Sequence, residues 1–227
     1  MFILKLILSI IIQIVVFGIL LFLPAETLKW WHAWVFLVVV FVSMSVTIAS
    51  IFPSNKGILE ERLKPLMQKG QPLADKVIVV LFAVMFYCLI AFIPLDVFRF
   101  HLIGKPGTLV SSLGLLLFVA GWWVISLALK VNPFAGPVLK HQKERHQTVI
   151  YTGVYGIIRH PMYAGSVPMM VGISLWLESY AAALLASVPS GFLVLRILIE
   201  EQFLKRELNG YDAYTKKVRY RLIPFLW

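Results

Sequence analysis

Long apolar stretches, separated by shorter charged ones, organise the whole chain. The first runs from about Phe2 to Leu23, the second from about Trp31 to Phe52, the third from about Val77 to Leu95 and the fourth from about Thr108 to Leu129. Each approaches the roughly 20 residues that a helix needs to cross a bilayer. Trp30, Trp31 and Trp34 open the second stretch, where indole rings favour the membrane–water boundary. A fifth stretch, Tyr163 to Leu195, is about 33 residues long and exceeds one ordinary span. Its only charge, Glu178, lies near the middle and is followed by Ser179 and Tyr180. That break predicts a helical hairpin with two arms of about 16 residues, which must tilt or dip to fit a bilayer. The pattern therefore predicts an all-α integral membrane protein of about six transmembrane helices, the last two forming the hairpin. Within the charged loop from Ser54 to Asp75, Lys56 to Arg62 predicts a short surface helix.

Composition agrees. Of 227 residues, 60% are hydrophobic and the mean hydropathy is +0.86, more than a soluble core of this size can hide. The apolar run after Lys5 is long and has no small-x-small site before Glu26, so it reads as a retained first span rather than a cleaved signal. The single cysteine, Cys88, excludes a disulfide framework and reads as a small buried hydrophobe. The net charge of +10 would suggest nucleic acid in a soluble protein. Here no basic face interleaved with aromatics occurs outside the loops, and nucleic-acid binding is not expected.

The distribution of that charge predicts orientation. With the N-terminus in the cytoplasm, 18 of the 21 basic residues fall on the cytoplasmic side and only Lys29, Arg99 and Lys105 fall outside. The positive-inside bias favours this arrangement, with both termini cytoplasmic. It also places Arg159-His160, Glu200-Glu201 and the C-terminal tail on one side of the membrane, where they can share a site.

Gly153 and Gly156 permit turns or close backbone approach in the segment leading to Arg159-His160-Pro161. Pro161 suits the first turn of the next helix, where its missing N–H costs nothing, and His160 then falls at the cap. A helix N-terminus with an adjoining arginine favours an anion, although a His-Pro cap with a lipid-facing arginine would give the same sequence. Arg196 and Glu200 are four residues apart and can pair along one helix face, while Glu201 points about 100° away. These charges could equally be solvated beyond the membrane. The combination of acids after one arm and Arg-His before the other suits a ligand carrying both signs, such as S-adenosylmethionine or, less well, a polar lipid headgroup. After the Asn209-Gly210 break, a basic amphipathic tail either lies on the membrane surface or caps the pocket, with Arg219 or Arg221 meeting an anion.

Gly153-x-Tyr155, Arg159-His160-Pro161-x-Tyr163-x-Gly165, Glu200-Glu201-x-x-Leu204, Gly210-x-x-x-Tyr214 and Val218 to Pro224 together resemble the isoprenylcysteine carboxyl methyltransferase family and its prokaryotic relatives. The resemblance covers about Asn132 to Trp227, with Val154 standing where many relatives carry proline. It implies S-adenosyl-L-methionine as cofactor, in a cytoplasm-facing pocket closed by the C-terminal segment, and a lipophilic small-molecule or lipidated substrate entering sideways from the membrane lipids. It implies cofactor contacts from His160, Pro161 and Tyr163, with Gly153 and Tyr155 shaping the pocket. Glu200 and Glu201 would hold the cationic end of the cofactor or orient the substrate, and Arg159 would fix an anionic substrate group. Arg196, Arg219 and Arg221 complete the set as substrate-binding candidates. The chain then divides into an N-terminal membrane region, residues 1–130, and a methyltransferase-like region, residues 131–227, within one structural unit. A bacterial or archaeal cell membrane is the expected location, or the endoplasmic reticulum in a eukaryote. His141 and His146 read as solvated, and no metal site is expected. Related Arg-His-Pro-x-Tyr endings leave a membrane sterol-type reductase using NADPH as an alternative, beside a non-enzymatic lipid-binding protein. Transport is disfavoured because the first four spans carry almost no ionisable residues.

Overall fold

The computed structural model describes residues 1–227 and is helical, without strands. The first four apolar stretches form α1 (Phe2–Ala25), α2 (Trp31–Ile51), α4 (Leu73–Leu95) and α5 (Thr108–Val131). Between α2 and α4, the short surface helix is present as α3 (Lys56–Arg62), which buries Ile58, Leu59 and Glu61. The remaining helices are α6 (Pro161–Trp176), α7 (Tyr180–Leu185), α8 (Ser187–Glu207) and α9 (Tyr211–Lys217).

Five helical segments are long and apolar enough to cross a membrane, counting α7 and α8 as one. The sixth, α6, has 16 residues. At 1.5 Å per residue it spans about 24 Å, short of the roughly 30 Å hydrocarbon core. The hairpin turns where the sequence indicated, with Glu178 in the left-handed region at φ 69°. Ser179 caps the second arm by accepting from the Ala182 N–H at 2.9 Å. The two arms are unequal, however. The second continues past Leu195 to Glu207, because Arg196, Glu200 and Glu201 find partners inside the protein and leave the helix uninterrupted.

The close contact of α5 with α6 fixes the position of the site. Gly114 and Gly121 on α5 face Gly172 and Gly165 on α6, so the two backbones touch. A Cβ on Gly165 would lie 2.5 Å from the Gly121 carbonyl oxygen, and one on Gly172 would lie 2.5 Å from the Phe118 nitrogen. In a bilayer, such small-residue faces replace the hydrophobic drive with close packing. Phe36, Phe118, Met170 and Ile173 fill the core beside this contact. Ile3, Leu4, Ile7, Leu8 and Ile11 on α1 point outward, as a lipid-facing surface requires. Cys88 also lies exposed on α4, and not buried as its apolar neighbours suggested, because its face of the helix turns away from the core.

Candidate active site

The end of the bundle formed by α3, the start of α4, the end of α5, the start of α6 and the end of α8 carries two neighbouring polar clusters. Their centres are consecutive residues of α8, Glu200 and Glu201, whose side chains diverge.

Glu201 is buried among cations. Its carboxylate accepts from Arg159 Nε at 2.7 Å, from His160 Nε2 at 3.2 Å and from Arg221 Nε at 3.0 Å. An ionised carboxylate only accepts, so this contact places the imidazole proton on Nε2. Arg159 Nη1 also donates to the carbonyls of Val218 and Arg219, both at 2.9 Å. The backbone continues the tie: the N–H groups of Arg159 and His160 donate to the carbonyls of Tyr220 and Arg221, each at 2.9 Å. One buried acid thus joins the loop before α6, the end of α8 and the C-terminal segment. As the sequence indicated, His160 sits at the cap of α6 and Pro161 is its first residue.

Glu200 belongs to the second cluster. Tyr163 donates its hydroxyl to Glu200 Oε2 at 2.5 Å. Arg196 lies over the Tyr163 ring, 5.8 Å from its centroid. The expected pairing of Arg196 with Glu200 along the helix is not made. Arg196 turns to Asp75 instead, with Nε 3.4 Å from Oδ1, and Nη2 donates to the Pro137 carbonyl at 2.9 Å. Asp75 is almost fully buried and also accepts from Gln71 Nε2 at 2.7 Å and the Leu139 N–H at 2.9 Å. A buried carboxylate from another helix outcompetes the local pairing because charge–charge attraction strengthens away from water.

These side chains surround a cavity of about 530 Å³. Tyr155, Arg159, His160, Pro161, Tyr163, Arg196 and Glu200 all line it, so the structure gathers most of the residues singled out from the sequence. Glu201, Gly153, Arg219 and Arg221 do not line it. Gly153 adopts φ +56° against Val131 and shapes the turn before Tyr155. The Arg219 side chain is exposed, and Arg221 is held by Glu201 and by the Trp227 ring at 5.2 Å. The tail does close over the cavity, but with tyrosines. Tyr211 and Tyr214 of α9 line it, and Tyr214 donates to the Tyr155 carbonyl at 2.8 Å. Burial raises the hydroxyls of Tyr155, Tyr211 and Tyr214 above their ordinary value, keeping them protonated donors. From this polar end the cavity extends to Val79, Phe82 and Phe86 of α4 and Leu193 of α8, an apolar surface within two of the long apolar helical segments.

Sequence reasoning missed Asp75 and Arg62. Drawing the third span from Val77 left Asp75 in the loop, although Pro72 followed by an acid in the first turn is a helix-start signal. Arg62 was visible only as the basic end of a short surface helix.

The cavity suits a ligand bearing both signs. Its volume lies within the roughly 300–1,000 Å³ of small-molecule sites. It offers the Glu200 carboxylate to a cation, guanidinium groups to an anion, and tyrosine and histidine rings to a flat heterocycle. S-adenosylmethionine has all three features, so the residues present fit it.

Comparison with known proteins points the same way. The phospholipid methyltransferase family model matches residues 109–209. Protein-S-isoprenylcysteine O-methyltransferase B of Arabidopsis thaliana is 30% identical over 112 residues, 48% of this chain and 57% of that protein. The Saccharomyces cerevisiae protein-S-isoprenylcysteine O-methyltransferase is 30% identical over 135 residues, 58% of this chain and 55% of its own. The matches thus span little more than half the length of these curated relatives. The fold resembles that of a eukaryotic intramembrane Ras methyltransferase, isoprenylcysteine carboxyl methyltransferase, with a TM-score of 0.54 and 19% identity over 92% of this chain and 74% of that one. The family model, the sequence relatives and the shared fold thus make this chain similar to membrane methyltransferases of the phospholipid and isoprenylcysteine types, with the multi-pass helical fold of the latter.

Proposed function

We propose that the protein is an integral membrane S-adenosylmethionine-dependent methyltransferase whose acceptor is lipophilic, with an isoprenylcysteine-type carboxylate the favoured class. The observation that carries this reading is the continuity of one cavity from the Tyr163–Glu200 pair to the apolar faces of α4 and α8. A soluble donor and a lipid-borne acceptor need such a passage, polar at one end and greasy at the other. The basic bias of the loops supports placing the polar end in the cytoplasm.

When bound, the donor supplies a methyl carbon already activated by its sulfonium. Glu200, oriented by the Tyr163 hydroxyl, would meet the positive charge. Tyr155, Tyr211 and Tyr214 would enclose the polar end and exclude water. Arg159 acts chiefly by holding the C-terminal segment to α8 through Glu201. The carboxylate of an acceptor attacks without losing a proton, so no general base is required, and orientation with exclusion of water supplies most of the rate.

The test is methyl transfer from radiolabelled donor to S-farnesylcysteine by the purified protein in lipid vesicles. Base-labile methyl ester in the lipid phase supports the reading. Donor binding without transfer to any lipophilic carboxylate, amine or thiol would overturn it.

A further inference from the structure

The cavity contains a cation that the proposed chemistry leaves unassigned. Arg62 ends α3, outside the stretch matched by the family model. Its Nη1 donates to the Ala135 carbonyl at 3.1 Å, while Arg196 Nη2 donates to the Pro137 carbonyl at 2.9 Å. Two guanidinium groups therefore rest on carbonyls two residues apart, and both line the cavity. Beyond the Ala135 carbonyl, Arg62 has no ion-pair partner, and Arg196 Nε, buried, has no hydrogen-bond acceptor.

The nearby acids are committed elsewhere. Glu61 is turned to Lys64 at 2.6 Å, Asp75 to Arg196 at 3.4 Å, and Glu200 accepts the Tyr163 hydroxyl. Arg62 is exposed and lines the cavity at its mouth. The neighbouring guanidinium of Arg196 opposes its positive charge. A guanidinium nonetheless stays charged in proteins. Of the two guanidinium groups only Arg196 has a carboxylate in ion-pair contact, Asp75, and Arg62 has none. A planar carboxylate would give Arg62 that partner and matches the fork geometry of both side chains.

We propose that Arg62 and Arg196 form a carboxylate clamp in the cavity, beside Glu200, which would meet a cation. The naming of its ligand rests on the methyltransferase reading. The carboxylate comes either from the acceptor or from the amino-acid end of the donor. Asp75 is the positioning residue of the clamp, since it holds Arg196 against the Pro137 carbonyl.

The experiment is equilibrium binding to the full chain in detergent with two matched pairs of ligands. One pair is S-farnesylcysteine and its carboxamide; the other is S-adenosylhomocysteine and its decarboxylated analogue. Losing a charge-assisted hydrogen bond typically weakens binding roughly 10- to 100-fold. Arg62→Gln should weaken S-farnesylcysteine by that factor and leave the carboxamide unchanged if the clamp takes the acceptor. The same selective loss within the S-adenosylhomocysteine pair would assign it to the donor. Arg62→Lys should recover part of either loss. The uncharged partner of each pair, measured on the same variant, separates loss of the clamp from loss of the fold. Unchanged binding of both acids by Arg62→Gln overturns the clamp. Failure of the wild-type protein to bind S-adenosylhomocysteine would strike the methyltransferase reading instead, and the S-farnesylcysteine pair would still decide the clamp.

Discussion

The two ends of the helix bundle both bury acids, and they use them differently. At the end away from the cavity, Asp96 accepts from the Ser179 hydroxyl at 2.6 Å and from the Leu102 N–H at 2.9 Å. Neutral donors satisfy both of its oxygens, and the result is a closed joint between the end of α4 and the hairpin turn. At the cavity end, Glu201 and Asp75 meet guanidinium groups, while Glu200 accepts only the Tyr163 hydroxyl and faces the cavity. A buried polar group whose valences are all filled by the protein is architecture; one left with spare valence beside a void is available for a ligand. By that criterion Glu201 resembles Asp96 more than it resembles its neighbour Glu200. It is a tie in the fold, although it sits within the recognised motif.

Substitutions can break or sharpen this contrast. The largest effect is expected from Glu201→Ala. Removing the carboxylate strands buried Arg159, and breaking such a pair typically costs about 3–5 kcal/mol. The thermal midpoint in detergent should fall steeply and the C-terminal segment should become protease-sensitive. Glu200→Gln should separate the neighbours: stability within about 1 kcal/mol of wild type, because its exchange removes no protein cation partner, but a large loss of donor affinity. Asp96→Asn should do the reverse. It should lower stability by about 1–2 kcal/mol through one weakened buried hydrogen bond and leave binding unchanged, as paired melting and titration would show. The exposed Arg99–Glu26 pair at the same end is worth less than about 1 kcal/mol, so Glu26→Gln should be nearly silent.

The smallest effect concerns pH. The raised Tyr155, Tyr211 and Tyr214 hydroxyls ionise later in the folded protein than in the unfolded chain, whose ordinary value is 10.0. Their contribution is full below that value and declines as pH rises above it. Tyr214→Phe should flatten part of this alkaline loss, read as thermal midpoint against pH.

Much of the architecture was legible in the apolar runs. α3 spans Lys56–Arg62 as read, and the hairpin turns at Glu178. The gathering of His160, Tyr163 and Glu200 at one end followed from hairpin topology. The connections between distant segments were not legible. Arg196 chose Asp75, 121 positions earlier in the sequence, over Glu200 one turn away. Local spacing shows which pairs can form, and burial decides which do. The helical angle between Glu200 and Glu201 indicated that they diverge, but only the fold reveals which one faces the cavity. The glycines of α5 and α6 illustrate the same limit. Gly114 and Gly121, like Gly165 and Gly172, are seven residues apart, yet their spacing acquires meaning only when the two helices face each other.

The most direct test of the central claim is calorimetric titration of the detergent-purified protein with S-adenosylhomocysteine, with NADPH in parallel. Micromolar binding of S-adenosylhomocysteine, lost in Glu200→Gln and kept in Asp96→Asn, is the expected result. Binding of NADPH alone, or S-adenosylhomocysteine binding that ignores Glu200→Gln, would contradict the assignment of the cavity as a methyl-donor site.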